Sequence, residues 1–284
     1  MTGSMHLTIH LMILFIGVIF MIDSLKLVAA EGVGSEQTVC GALREPLAFW
    51  LWQRMAGRPE ESSIAHVQNF QSIQFIARDG VILSGYKLAA RVPRGYILVA
   101  QGNAMLVDQL IVDLELFLEH GFDVYLYDYR GYGLSEGKSR LATIIADYTD
   151  IVAHLNSLGY TRRFMYGISM GGVILLNVVG RSASFDAAVI DSSPSYISNY
   201  GCPDKYNPMQ HLPQDSSHIM IISGVRDLIV SPIQMAELIR IGASRGAHIF
   251  RDIEFSHPFQ DRLPEIHKRR LNEVTRFFIQ ESVD

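Results

Sequence analysis

The chain has 284 residues, of which 49% are hydrophobic and 19% are charged, and its formal net charge is -5. A chain of this length and apolar content can bury one large core or two smaller ones. The acidic balance and the lack of a long Lys/Arg run argue against a nucleic-acid partner, because binding a phosphate backbone needs a concentrated basic surface.

The chain contains two cysteines, Cys40 and Cys202, and they lack the C-x-x-C spacing of a zinc site or a dithiol redox motif. Two interpretations stay open at this point. The pair forms a disulfide if the chain is exported, or both are unrelated free thiols.

An unbroken apolar run, LMILFIGVIFMI, occupies residues 11–22 and is followed by Asp23, Lys26 and the small-residue stretch 28–30. This pattern is typical of a secretory signal peptide cleaved near residue 30. Residues 7–30 would instead remain as a membrane anchor if both charges reach the interface. We therefore interpret residues 1–30 as a signal peptide or membrane anchor. The protein is expected to be exported, periplasmic or secreted, or to associate with a membrane through its N-terminus.

Residues 31–63 have the character of a connector, and residues 64–284 are assigned to a catalytic domain. Within the connector, residues 47–55 (LAFWLWQRM) form a short amphipathic segment with Trp50 and Trp52. This segment is either a helix packed on the main domain or an interfacial membrane contact.

Two strands, 67–77 and 81–89, are predicted around the turn Arg78-Asp79-Gly80 and would form an antiparallel hairpin. Strands and helices then alternate. The predicted strands are 95–100, 122–127, 164–168, 187–191, 219–224 and 248–253, and the predicted helices are 106–120, 141–158, 170–179, 232–241 and 264–280. Such alternation predicts an α/β fold whose mostly parallel central sheet carries helices on both faces. Ligands of such a sheet bind at the carboxyl ends of its strands.

A G-x-S-x-G motif, Gly167-Ile168-Ser169-Met170-Gly171, lies where a predicted strand turns abruptly into a predicted helix. In this context the motif is a nucleophile elbow, which presents a serine at a strained corner. Ser169 is the candidate nucleophile.

A serine nucleophile needs a base and a carboxylate that orients the base, and in this topology they follow in the order Ser, acid, His. Asp227 lies just past the strand 219–224, and His257 follows the last strand. We therefore predict the triad Ser169, Asp227 and His257, with Asp191 at the end of its own strand as the alternative acid. His211, His218 and His248 are interpreted as surface residues.

A developing oxyanion needs backbone donors. The N–H of Met170, directly after the nucleophile, is one candidate. Asn103, in the loop Gln101-Gly102-Asn103-Ala104 that follows a predicted strand, is the other.

These motifs, with residues 128–137 (DYRGYGLSEG), resemble the α/β-hydrolase superfamily and in particular its Bem46-like branch. The resemblance covers residues 67–280 and implies acyl-thioester or ester hydrolysis, sometimes with an N-terminal membrane tether. This chain departs from the branch pattern His-Gly-Asn at Gln101, and from its usual motif around the catalytic histidine at Ser256-His257-Pro258.

Residues 192–218, where such enzymes insert a lid, contain Pro194, Pro203, Pro208 and Pro213, which leave little room for a helical cap. We therefore expect an open site with a minimal lid or none. The side chains near its mouth either contact an acyl group or pack an irregular loop: Tyr196, Tyr200, Tyr206 and Met209.

The sequence thus predicts a serine esterase or thioesterase that acts on a small-molecule or lipid-like substrate and requires no metal or organic cofactor. Two alternatives remain. One is a catalytically idle scaffold that serves as a membrane-associated interaction protein, and the other is a serine peptidase.

Overall fold

The computed structural model of the protein describes residues 39–60, 64, 67, 69–180 and 184–282. Thr38–Asp284 form one compact unit. The predicted signal peptide or anchor at residues 1–30 lies outside the described residues. Within the described part of the chain, no helix is both long enough and apolar enough to cross a membrane.

The unit is built on an 8-stranded sheet with the order β1-β2-β4-β3-β5-β6-β7-β8. Strand β2 is antiparallel to β1 and to β4, and the remaining neighbours are parallel. The strands are β1 Phe70–Ile76, β2 Ile82–Leu88, β3 Gly95–Ala100, β4 Phe122–Tyr127, β5 Arg162–Ile168, β6 Ala187–Asp191, β7 Ile219–Gly224 and β8 His248–Asp252.

The α-helices of the described residues connect these strands or flank them. They are α1 Arg44–Ala56, α2 Ile111–Leu114, α3 Leu141–Asn156, α4 Met170–Val179, α5 Pro232–Ser244 and α6 Pro264–Gln280. Alternate residues of a strand face opposite sides of a sheet, so each central strand contributes to two cores. In β3, Leu98 packs in the core beneath α1, α3, α4 and α5, whereas Val99 packs in the core beneath α2 and α6.

The alternation predicted from the sequence is present, with strand and helix boundaries that match closely. The exception is segment 106–120, for which the prediction of one continuous helix is wrong. It consists of the 3-10 turn Val107–Gln109, the short α2 and a second 3-10 turn, Glu115–His120. Ile111 and Leu114 of α2 and Phe117 of the second 3-10 turn are buried at a spacing of three residues, which places them on one face of the segment.

Helix α1, which lies in the predicted connector, packs on the main domain through buried Phe49 and Ala56. The Glu45 carboxylate accepts a hydrogen bond of 2.7 Å from the N–H of Leu141, at the start of α3. A disulfide joins Cys40, just before α1, to Cys202 in the segment after β6. The start of the described chain is therefore bonded covalently to a loop at the carboxyl end of the sheet.

Candidate active site

Ser169 lies at the corner between β5 and α4 with φ 53° and ψ -113°, in the left-handed region that non-glycine residues rarely occupy. Its backbone is fixed from both sides, since its N–H donates to the Asp191 carbonyl at 2.8 Å and its carbonyl accepts from Ser193 Oγ at 2.6 Å. The side chain is 8% exposed. Strain of this kind persists only where the surroundings enforce it, and it is the geometry expected of a nucleophile elbow.

The glycines of the motif permit close backbone approach. A Cβ atom on Gly171 would lie 1.9 Å from the Ala100 carbonyl oxygen, and one on Gly167 would lie 2.6 Å from the Cα of Gly172. Neither site can hold a larger residue without moving backbone. The glycines therefore let the first turn of α4 pack against the carboxyl end of β3.

His257 lies in the loop after β8, and its Nδ1 is 2.9 Å from Oδ2 of Asp227. The other oxygen of that carboxylate accepts the N–H groups of Ile229 at 2.9 Å and Val230 at 2.8 Å. Burial alone would raise the pKa of Asp227, but the hydrogen bond and charge of His257, with these two N–H groups, lower the pKa below its usual range. Asp227 is therefore held as an anion that faces the imidazole.

Asp191, the alternative acid, lies at the end of β6 with different partners. Its carboxylate accepts hydrogen bonds from Arg270 Nη1 at 2.7 Å, Ser192 Oγ at 3.1 Å and the Tyr166 hydroxyl at 3.2 Å. Burial raises the pKa of Asp191, and the charges of Arg270 and His257 oppose that rise. His257 is therefore near enough to influence Asp191, while the hydrogen bond to its Nδ1 is made by Asp227.

The loop that follows β3 lies beside the nucleophile. A Cβ atom on Gly102 would be 3.7 Å from the Cβ of Ser169. The side chain of Asn103 is turned back on its own loop, where Oδ1 accepts the N–H of Ala104 at 2.9 Å and the Tyr132 hydroxyl at 3.0 Å. Met170 is the first residue of α4, where a helix leaves N–H groups without an intrahelical acceptor. Met170 thus directly follows the nucleophile, and Gly102, the residue before Asn103, lies beside it.

The segment between β6 and β7 contains three short 3-10 turns, Ser198–Tyr200, Asp204–Tyr206 and Pro208–His211. It forms no helical cap, as the four prolines indicate. Two of its tyrosines differ in environment. Tyr206 packs in the core, whereas the Tyr200 hydroxyl accepts a hydrogen bond from Gln234 Nε2 at 2.7 Å, and its pKa is raised by burial and by the charge of Asp227.

Two residues at the site were not identified from the sequence. Tyr132 donates a hydrogen bond to Oδ1 of Asn103 in the loop after β3. Arg270 on α6 is fully buried and bonds to Asp191 and to the loop that carries His257. A periodicity signal for Arg270 was available, because Ile266 and Val274, four residues before and after it, are both buried on the same helix face.

The chain is similar to several known proteins. The profile of the family described as "Serine aminopeptidase, S33" matches residues 91–213. The chain is 25% identical over 224 residues to the uncharacterized protein YfhR of Escherichia coli strain K12, covering 71% of this chain and 78% of YfhR. It is 23% identical over 201 residues to the uncharacterized membrane protein YNL320W of Saccharomyces cerevisiae, covering 64% of this chain and 71% of YNL320W.

Among solved structures, the chain resembles the esterase Pf2001 of Pyrococcus furiosus, with a TM-score of 0.63 and 17% sequence identity over 79% of this chain and 96% of the esterase. A likeness at this level of identity establishes the architecture. The eight-stranded sheet, its strand order and the serine at the corner of β5 and α4 are those of the same architecture. The protein therefore has the α/β-hydrolase fold.

Proposed function

We propose that the protein is a serine hydrolase that cleaves a carboxylic ester or thioester through an acyl-enzyme intermediate. One observation carries the proposal. A serine held at positive φ shares the carboxyl end of the sheet with a histidine that is hydrogen-bonded to a buried carboxylate. An isolated serine hydroxyl is a weak nucleophile, and such a histidine is what activates it.

In the proposed reaction Ser169 Oγ attacks the carbonyl carbon and His257 accepts the hydroxyl proton. Asp227 holds the imidazole and stabilises its protonated form, and the N–H groups of Met170 and Asn103 bind the oxyanion. His257 then gives its proton to the departing alcohol or thiol. Water cleaves the acyl-enzyme by the same steps, which returns Ser169 to its free form.

The substrate we propose is a small-molecule or lipid-like acyl ester or thioester. The absence of a helical cap in the described segment between β6 and β7 supports access by such a ligand from the carboxyl end of the sheet. Similarity to YfhR and YNL320W supports placing the chain in the Bem46-like branch, which is part of the same proposal.

A serine peptidase is the second candidate, and the match to the serine aminopeptidase profile favours it. The same triad would act on an amide, with His257 protonating an amine instead of an alcohol or thiol. A catalytically idle scaffold is the third candidate, and an experiment must distinguish it from the esterase and the peptidase.

The proposal also includes export, as a periplasmic or secreted protein, or membrane anchoring through the N-terminal apolar segment. The disulfide between Cys40 and Cys202 supports it, because disulfides persist in oxidising compartments and are rare in the cytosol.

The decisive experiment combines a fluorophosphonate probe with a series of p-nitrophenyl esters of increasing acyl length and a matching set of aminoacyl p-nitroanilides. Wild-type protein and Ser157→Ala, which changes a surface serine bonded to the His154 carbonyl, should both be labelled and should hydrolyse esters. Ser169→Ala should lose labelling and at least about 10⁴-fold in kcat. Labelling of a folded Ser169→Ala variant would refute Ser169 as the nucleophile. Faster cleavage of anilides would favour the peptidase, and an unlabelled wild type the idle scaffold.

A further inference from the structure

Arg270 is the largest fully buried side chain of the described residues. Its Nη1 donates to Asp191 at 2.7 Å, its Nε donates to Asp261 Oδ2 at 3.1 Å, and its Nη2 donates to the Ser256 carbonyl at 2.6 Å. Nη2 also lies 3.2 Å from Asp261 Oδ1, and the guanidinium carbon is 4.1 Å from the centre of the Phe255 ring. Every nitrogen of the guanidinium therefore has a partner.

A buried guanidinium is tolerated only where its charge is balanced. The side chains of Arg270, Asp191 and Asp261 are all 0% exposed. Burial would lower the pKa of Arg270, but the two carboxylates outweigh it and the pKa is raised, so the group stays charged. A site this costly to assemble calls for a role beyond filling space, because an apolar residue could pack on α6 with less penalty.

The partners of Arg270 belong to two parts of the proposed active site. Asp191 is attached to the elbow, since its backbone carbonyl accepts the N–H of Ser169 at 2.8 Å. Ser256 directly precedes His257, and its own N–H donates to Asp261 Oδ1 at 2.8 Å. The backbone carbonyl of Ser256 is thus held by Arg270, and its N–H is held by Asp261, a carboxylate partner of Arg270.

We propose that Arg270 is a positioning residue that joins the nucleophile elbow to the histidine loop and holds the Asp191 carboxylate away from His257. The inference rests on the proposed function, because it assigns to Arg270 the alignment of Ser169 with His257. Arg270 itself contacts no reacting atom. Because Arg270 binds the Asp191 carboxylate, Asp227 remains the hydrogen-bond partner of His257 Nδ1.

The test compares Arg270→Met, Arg270→Lys and Arg276→Met in two measurements. Arg276 is the matched control, because it is an arginine on the same helix, 62% exposed and paired with Glu273. Steady-state kinetics with a p-nitrophenyl ester should show kcat reduced about 10- to 100-fold in Arg270→Met, with KM within about twofold of wild type, because misalignment impairs the reaction more than binding. Arg270→Lys should recover part of the loss, since it keeps the charge but bonds fewer acceptors. Arg276→Met should match wild type.

The second measurement is the ¹H NMR resonance of the His257 Nδ1 proton, which a strong bond to Asp227 shifts downfield. It should weaken or move in Arg270→Met and persist in Arg276→Met. The NMR measurement needs no turnover, so it tests the role of Arg270 even if the wild-type protein fails to react with the fluorophosphonate. That failure would refute the proposed function but not the role of Arg270.

If Arg270→Met does not fold, Asp261→Asn serves in its place, since it keeps the Arg270–Asp191 pair and weakens the anchor of the histidine loop. It should lower kcat and disturb the same resonance in the same direction. The proposal is overturned if folded Arg270→Met, or folded Asp261→Asn where it must stand in, keeps kcat within about twofold of wild type and an unchanged His257 resonance. A loss confined to KM would overturn it equally.

Discussion

The hydroxyl of Tyr132 donates a hydrogen bond of 3.0 Å to Oδ1 of Asn103, and this bond joins the loop after β4 to the loop that borders Ser169. Tyr132 is fully buried. The same Oδ1 accepts the N–H of Ala104, a residue with φ 55°. A buried tyrosine from a different loop therefore helps to hold the conformation of the proposed oxyanion loop.

Replacing Tyr132 with Phe should lower kcat about tenfold and leave KM nearly unchanged, because an oxyanion donor that is poorly held loses part of its effect in the transition state. Tyr96→Phe is the matched control. The Tyr96 hydroxyl also donates a hydrogen bond to an asparagine, Asn156 Oδ1 at 2.8 Å, but Tyr96 lies near the amino end of β3, away from the site. Both variants should lose about 1 kcal/mol of unfolding free energy. Equal kcat values for the two folded variants would contradict the role of Tyr132.

The acid of the triad can be tested by comparing Asp227→Asn with Asp191→Asn. Asp227→Asn should reduce kcat by about 10³- to 10⁴-fold, because an amide at this position favours the wrong imidazole tautomer. Asp191→Asn should cost much less, since Arg270, rather than His257 Nδ1, is the close partner of Asp191. The comparison requires circular dichroism and thermal melts of both variants. The opposite ranking on folded protein would reassign the acid to Asp191.

Most of the fold could be predicted from the sequence because its signals are local. The six-residue segments that become β3, β4 and β7 are completely buried, as mostly apolar runs between turn residues indicate, with Asp123 of β4 as the charged exception. The elbow was recognisable for the same reason, since the strand, the motif and the helix are contiguous. The segment 106–120 shows the limit of this reasoning: the apolar pattern identified a buried helical face but did not distinguish α from 3-10 geometry.

The supporting residues of the site depend on contacts between distant parts of the chain. Arg270 meets Asp191 across 79 positions, and Glu45 meets Leu141 across 96. No local pattern specifies such pairs. The periodicity of α6 could have marked Arg270 as buried, but its partners come from the order of strands in the sheet. The triad and oxyanion residues stay predictions until their chemistry is measured.

The buried carboxyl of Asp128 predicts a pH-dependent stability. Burial, with a smaller contribution from the charge of Asp108, raises the pKa of Asp128 to about 7, although the N–H of Val107 donates to it. A carboxyl whose pKa is higher in the folded state contributes most to the free energy of unfolding below its unfolded pKa of 3.8. This contribution is lost as the pH rises towards about 7. Three pKa units correspond to an upper limit of about 4 kcal/mol.

Asp128→Asn removes the titration and keeps an acceptor for Val107. The melting temperature of the variant relative to wild type should therefore increase as the pH is raised from about 4 to about 7. Asp215→Asn is the control, because hydrogen bonds from Ser217 lower the pKa of Asp215, so the folded-state carboxylate does not gain charge as the pH rises towards about 7 in the way expected of Asp128. A constant difference between Asp128→Asn and wild type across the range would show that folding does not raise the pKa of Asp128.

The apolar segment 11–22 predicts processing near residue 30. Burial of Asp23 and Lys26 near the centre of a bilayer would cost about 2.5 to 3.5 kcal/mol each on insertion scales, which favours cleavage over a retained anchor. Protein isolated from its native host should therefore begin near Glu31, as intact-mass analysis will determine. A mass that includes residues 1–30 would instead support the anchor.

The disulfide between Cys40 and Cys202 closes a loop with a sequence separation of 162 residues. In the chain-entropy description, closing a loop of this length restricts the unfolded chain and stabilises the folded state by about 5 kcal/mol, whereas disulfides typically contribute about 2 to 4 kcal/mol. The Cys40→Ala/Cys202→Ala variant should accordingly melt at a lower temperature than wild type without reductant, and reductant should lower the melting temperature of wild type alone. Because α1 is also held by Phe49 and by Glu45, the variant should still fold and react with the fluorophosphonate. Alkylation followed by intact-mass measurement checks the bond directly, and two thiols that react before reduction would exclude it.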